Sequence, residues 1–207
     1  MSGPWLVSYI VLWGVVLFQG AAIFLLLRQL GMMYLGTAQG VARDGLPAGT
    51  EAPAFAAEGL DGRTVSLEEF RGLPLLLVFG SANCAPCKSL MPDLNVFADE
   101  MQDELRVLFL SRGEAEPARR FVGETNAQVP VAVHPDESLP EEYKARVTPF
   151  AFLIDAEGVI QAKGLANNRS HLDMLLSMAR DEERKHARRA GRNGAAREER
   201  ISVEERR

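Results

Sequence analysis

Cysteine is almost absent: the 207 residues hold two, Cys84 and Cys87. Two cysteines three positions apart cannot staple distant segments, so a disulfide framework is excluded. What remains is one local redox pair, or half of a metal site completed elsewhere. Histidine is scarce too, with His134, His171 and His186 alone and none of them paired at metal-ligand spacing. Basic charge is outnumbered in the body of the chain. The net charge of −5 divides into a tail from Arg180, with ten Lys/Arg and seven Asp/Glu, and a remainder with thirteen basic and twenty-one acidic residues. An acidic body offers no stripe to neutralise phosphates, which excludes a nucleic-acid partner. No internal repeat is visible.

What the chain does have begins with a long apolar run. Trp5 to Leu27 carries no formal charge, and Gln19 is its most polar residue. About 20 apolar residues in a helix span the hydrocarbon core of a bilayer. Trp5 and Tyr9 at one end and Arg28 at the other suit the two interfaces. A cleaved signal peptide has a basic start and a shorter apolar stretch; neither fits. Residues 1–28 are therefore expected to form a transmembrane anchor through residues 5–27, and the Gly-rich stretch 29–52 a linker.

Residues 53–179 carry the pattern of a globular α/β domain. An Asp61-Gly62 turn joins two short extended pieces. Ser66-Leu67-Glu68-Glu69 is a capping box for one helical turn. Pro74–Phe79 is a continuous apolar run with the length of a strand buried on both faces. A helix is expected from Ala85 into Asp103, with Leu90, Leu94, Phe97 and Met101 on one side. Arg106–Leu110 reads as a strand, Glu116–Glu124 as a helix, Pro130–Val133 as a strand and Pro140–Arg146 as a short helix. A hairpin of Phe150–Ile154 and Val159–Lys163 follows, and then a helix capped by Ser170. Strands alternating with helices and ending in a hairpin predict a mixed sheet flanked by helices. Residues 180–207 are almost all charged and are expected to be a disordered tail.

The informative stretch is Asn83-Cys84-Ala85-Pro86-Cys87-Lys88. A cysteine that opens a helix after a buried strand meets the unpaired N–H groups of the first turn, which favour thiolate. That makes Cys84 the nucleophile. Cys87, one turn on and more buried, is the residue that resolves the mixed disulfide. Pro86 fixes the intervening turn. Three other readings compete. A structural disulfide over so short a loop constrains little of the unfolded chain. A zinc site needs more ligands than two thiols. Copper delivery would need a distant histidine, for which His134 is the candidate, although a lone histidine at a strand end is more often solvated. No cofactor and no resident metal are expected. A second signal is Thr148-Pro149, since a proline opening a strand sits at an edge or a special turn.

With these residues in view, the chain resembles thioredoxin-fold redoxins. Pro53-Ala54-Phe55 together with DGRTVSLEEFRGLPLLLVFGSANCAPC resembles the membrane-tethered TlpA-like branch. TPFAFLIDAEGVIQAKGLANNRSHLDMLL behind a single anchor resembles MauD-type proteins, accessory factors for methylamine dehydrogenase maturation. The resemblance spans roughly Thr50 to Ala179. It implies that Cys84 and Cys87 are the redox pair, that Pro149 is the cis-proline beside it, and that Thr148 presents a backbone edge to substrate polypeptide. It implies a thiol–disulfide oxidoreductase, with a secreted or periplasmic cysteine-bearing client and a membrane redox partner that recycles the pair. The ResA-like relatives imply a second reading, reduction of apocytochrome c cysteines, and a non-enzymatic copper-binding module is a third. A thiol peroxidase is disfavoured, because Leu77 stands where the peroxidase pattern has proline. Two departures matter: Asn83 replaces the tryptophan of ordinary thioredoxins, and Val78 replaces their buried aspartate. Nothing obvious then takes the proton of Cys87. The resemblance places the domain outside the inner membrane. Charge alone opposes this, because Arg28 and Arg43 follow the span and no basic residue precedes it.

Overall fold

The computed structural model describes residues 3–36, 44–134, 138–182 and 184. It divides into two compact units, Met1–Arg43 and Asp44–Arg207. In the first, helix α1 runs over Gly3–Gly36. Its window Ser8–Leu25 has a mean hydropathy of 1.9 and none of it is buried, so α1 is long and apolar enough to cross a membrane. At 1.5 Å per residue that window is about 27 Å long, close to the hydrocarbon thickness of a bilayer.

The second unit is built on one seven-stranded sheet. Its strands are β1 (Ala56–Gly59), β2 (Thr64–Ser66), β3 (Leu75–Ser81), β4 (Arg106–Arg112), β5 (Val131–His134), β6 (Phe150–Ile154) and β7 (Ile160–Leu165), in the order β2-β1-β5-β4-β3-β6-β7. The core strands β3, β4 and β5 run parallel, and β1, β2, β6 and β7 pair antiparallel at the two sides. The run at residues 74–79 is the central strand as its composition requires, with Leu75–Phe79 all buried. Helices α2 (Ala85–Glu100), α3 (Ala115–Thr125), α4 (Ser138–Glu142) and α5 (169–182) fill the crossovers and the end.

Side chains alternate across β3, so Leu76 and Val78 join one core with Leu90, Leu94 and Phe97 of α2, Phe121 of α3 and Leu172, Leu175 and Ala179 of α5. Met101 lies at the rim of that core. On the opposite face Phe79 meets Tyr143 and Phe152, with ring centroids 5.1 and 5.8 Å away. Glu69 accepts the Ser66 backbone N–H at 2.8 Å, the reach-back half of the expected capping box.

Three expectations are corrected. The stretch taken as linker is structured at both described ends: α1 runs to Gly36, and the second unit starts ahead of Pro53. Gly45 N–H donates to the Lys144 carbonyl, Leu46 N–H to that of Tyr143, and Ala52 N–H to that of Gly158. These backbone groups find partners about a hundred residues away, which local composition does not reveal. Secondly, α5 is capped by Asn168, whose Oδ1 accepts the His171 N–H at 3.1 Å; Ser170 lies inside the helix. Thirdly, His134 is 4% exposed, not solvated, because Phe79 packs against its ring. Tail residues 183 and 185–207 and linker residues 37–43 lie outside the described residues.

Candidate active site

The site forms where β3 ends. Gly80 is required there: a Cβ on it would stand 2.2 Å from the Phe109 ring, which covers this end of the strand. The chain then leaves the sheet through Ser81-Ala82-Asn83, and Cys84 becomes the N-cap of α2. Its sulfur accepts the backbone N–H of Cys87 at 3.2 Å, so one of the orphan donors of the first turn points at sulfur. Pro86 occupies the first turn of α2, where its missing N–H costs nothing. Cys84 and Cys87 are joined as a disulfide with their Cα atoms 5.2 Å apart.

The two sulfurs have different surroundings. Cys84 is partly exposed, whereas Cys87 is fully buried against the core of Leu76, Val78, Leu90 and Met91. That core is apolar. Val78 is buried on β3, and Glu58, Glu68 and Glu69 are all exposed to solvent. No carboxylate belongs to the buried cluster around Cys87 among the described residues. Lys88 follows Cys87 on the exposed side of the helix and pairs with Glu124 of α3 at 2.7 Å, which lowers the Glu124 carboxyl from its ordinary value.

The second half of the site arrives from 64 residues downstream. The Thr148–Pro149 peptide is cis, and it carries Thr148 to the first cysteine. Thr148 Oγ1 lies 3.7 Å from Cys84 Sγ, and the Thr148 carbonyl oxygen 3.8 Å from the same atom. A disulfide sulfur has no hydrogen, so the carbonyl is a contact in this state and an acceptor once Cys84 is a thiol. Thr148 is exposed and Pro149 buried. The structure thus brings together Cys84, Cys87, Pro86, Thr148 and Pro149, and leaves His134 on β5 with its ring against Phe79. Among the described residues no three His, Cys, Asp or Glu side chains converge as a metal site.

Sequence reasoning missed a cavity of about 580 Å³ on the α4 side of the same strand ends. Arg112, His134, Glu141, Lys144 and Arg146 line it, and so does Thr148. These residues come from three separate segments, and no spacing signal links them.

Comparison with known proteins places this geometry. Residues 48–163 match the AhpC/TSA family. The methylamine utilization protein MauD of Methylobacillus flagellatus is 31% identical over 185 residues, covering 86% of this chain and 88% of that protein. The thiol-disulfide oxidoreductase ResA of Bacillus cereus is 29% identical over 117 residues, covering 56% of this chain and 68% of that one. Among solved structures, the thioredoxin domain of a thiol-disulfide oxidoreductase from Bacteroides vulgatus superposes with a TM-score of 0.58 at 25% identity. It covers 62% of this chain and 97% of its own.

Proposed function

The chain belongs to the AhpC/TSA family and is a thiol–disulfide oxidoreductase of the MauD and ResA type, and we propose that Cys84 is its nucleophile and Cys87 its resolving residue. The observation that carries this is the disulfide itself, seated on the N-terminus of α2 with Cys84 turned toward Thr148 and Cys87 buried. In the reducing direction, the Cys84 thiolate attacks one sulfur of a client disulfide. A mixed disulfide forms and one client thiolate leaves. Cys87 then gives up its proton and attacks Cys84 Sγ, expelling the second client thiolate and restoring the Cys84–Cys87 bond. Two electrons pass from the enzyme dithiol to the client. The reverse sequence oxidises a client dithiol with the disulfide that the structure holds.

Thr148 gives the client an edge. Its exposed backbone precedes β6 beside Cys84, so an extended client segment pairs there as a short strand and sets its cysteine in line with the sulfur. Pro86 and Pro149 hold the two sides of this groove. The domains follow the same logic: α1 is the anchor, the unit that begins at Asp44 holds the exchange chemistry, and a charged tail follows Ala179. The redox domain lies on the extracytoplasmic side of the inner membrane, where cysteine pairs persist oxidised. Its client is a secreted cysteine-bearing protein, with methylamine dehydrogenase the first to test, given the methylamine utilization of the MauD relatives. A membrane redox partner recycles the pair.

The test uses the reduced full-length chain in detergent micelles, mixed with hydroxyethyl disulfide and quenched with acid. Mass spectrometry is expected to show conversion to the intramolecular disulfide in the wild type and no reaction in Cys84→Ser. Equal reactivity of the two would remove Cys84 from its role.

A further inference from the structure

Lys163 turns its charge inward. The residues of β7 alternate, with Ile160, Ala162 and Gly164 buried and Gln161, Lys163 and Leu165 only partly so. A lysine at such a position ordinarily lays its stem on apolar surface and keeps its head in water. Lys163 Nζ donates instead to two main-chain carbonyls, those of Asp44 and Gly45, each at 2.6 Å. Charge-assisted bonds are roughly twice as strong as neutral ones. The ammonium therefore clamps a strap, residues 44–46, at the point where the chain enters this unit.

The strap is also bonded to the segment that leads to the redox sulfur. Gly45 N–H donates to the Lys144 carbonyl at 2.9 Å, and Leu46 N–H to that of Tyr143 at 3.0 Å. The fit leaves no room for a side chain: a Cβ on Gly45, whose φ is 76, would stand 2.7 Å from the Phe150 ring and 3.0 Å from the Lys163 stem. Lys144 then turns the chain at φ 55, and Arg146, Val147 and Thr148 follow, all exposed. Those three residues bridge two fixed points. One is the strap-bound pair 143–144. The other is Pro149, whose carbonyl accepts the Ala166 N–H at 3.1 Å. Thr148 thus approaches Cys84 only as closely as both anchors allow. Its hydroxyl lies 3.7 Å from the sulfur, a hydrogen bond with little length to spare.

We propose that Lys163 is a positioning residue for disulfide exchange: by clamping the strap it fixes residues 143–144, and through them it sets Thr148 against Cys84. The proposal rests on the disulfide-exchange reading and adds a residue to it.

A double-mutant cycle on the reduced full-length chain in micelles decides it. Each turnover converts the enzyme dithiol and hydroxyethyl disulfide into the enzyme disulfide and two molecules of mercaptoethanol. K163M keeps the stem and removes the donor, whereas G45A displaces the strap without altering Lys163. Rates are referred to the folded fraction from a thermal melt, and G45A serves where K163M fails to fold. Each variant is expected to lower the second-order rate about threefold, as the charge-assisted bond from Thr148 to the attacking sulfur is weakened. Combined with T148V, neither should lower the rate further than T148V alone, because coupled positions do not add. A wild-type rate in either single variant would overturn the proposal. Losses that multiply with that of T148V would overturn it as well, since Lys163 would then act by a route other than Thr148. A wild-type chain that left hydroxyethyl disulfide untouched would instead overturn the exchange reading.

Discussion

Thr148 and Cys84 stand 64 positions apart in the chain, yet the threonine hydroxyl lies 3.7 Å from the cysteine sulfur. The hydroxyl can donate to a thiolate at that position, and nothing in the fold depends on it, because the side chain is exposed. Thr148→Val is therefore expected to leave stability within about 0.5 kcal/mol of wild type. The second-order rate with hydroxyethyl disulfide should fall several-fold, as one charge-assisted hydrogen bond to the attacking group is lost. Stopped-flow rates beside a thermal melt check both halves of the prediction.

The unequal burial of the two sulfurs predicts an order of reaction. In the reduced chain, iodoacetamide should modify Cys84 first, with Cys87 protected by its fully buried position. Cys87→Ser should accumulate a stable mixed disulfide through Cys84, and Cys84→Ser should accumulate none. Peptide mapping of alkylated protein and non-reducing gels read this directly. Faster modification of Cys87 would reverse the roles.

Val78 occupies the buried position beside the redox pair where a proton acceptor would stand, and the cluster around Cys87 is apolar. A thiol in such surroundings resists ionisation. Resolution of the mixed disulfide should thus depend on hydroxide, its rate rising close to tenfold per pH unit between about pH 6 and 8. Rapid-quench measurement of the second step gives the profile. A flat profile would mean that a protein group takes the proton.

How much of this was legible in the sequence follows from the range of each interaction. The apolar run of β3, the cysteines on the first turn of α2 and the hairpin of β6 and β7 all show in local pattern, because hydrophobic period and turn chemistry are local quantities. Asn168 capping α5 was a near miss, since Asn168 and Ser170 are both good cap residues two positions apart. The contacts of Gly45 and Leu46 with 143–144, the burial of His134 and the meeting of Arg112 and His134 with Thr148 at one cavity depend on tertiary packing. No spacing in the chain encodes them.

Tyr143 illustrates such packing and gives a stability prediction. Its ring is fully buried among Phe79 and Phe152, and its hydroxyl donates to the Pro53 carbonyl at 2.7 Å. Tyr143→Phe leaves that carbonyl without its donor and should cost about 1–3 kcal/mol by denaturant unfolding. Burial raises the Tyr143 hydroxyl far above its ordinary value of 10.0. A raised value means that the stabilisation is complete below the unfolded pKa. It fades above about pH 10, where the unfolded chain loses the proton and the folded chain does not. The advantage of wild type over Tyr143→Phe should therefore shrink as pH rises past 10.

The face of the membrane on which Cys84 works sets which clients it meets. Helix α1 supplies the length and apolarity of a span, and the cysteines supply the probe, since the chain has no others. Intact cells treated with a mild reductant and then with a membrane-impermeant maleimide should yield labelled Cys84, with permeabilised cells as the control. Labelling of intact cells fits a domain facing oxidising space and secreted clients. Labelling only after permeabilisation would put the domain in the cytoplasm, as Arg28 and Arg43 by themselves would have it. The exchange chemistry would survive that result, because the geometry at Cys84 is indifferent to compartment, but a secreted client would not.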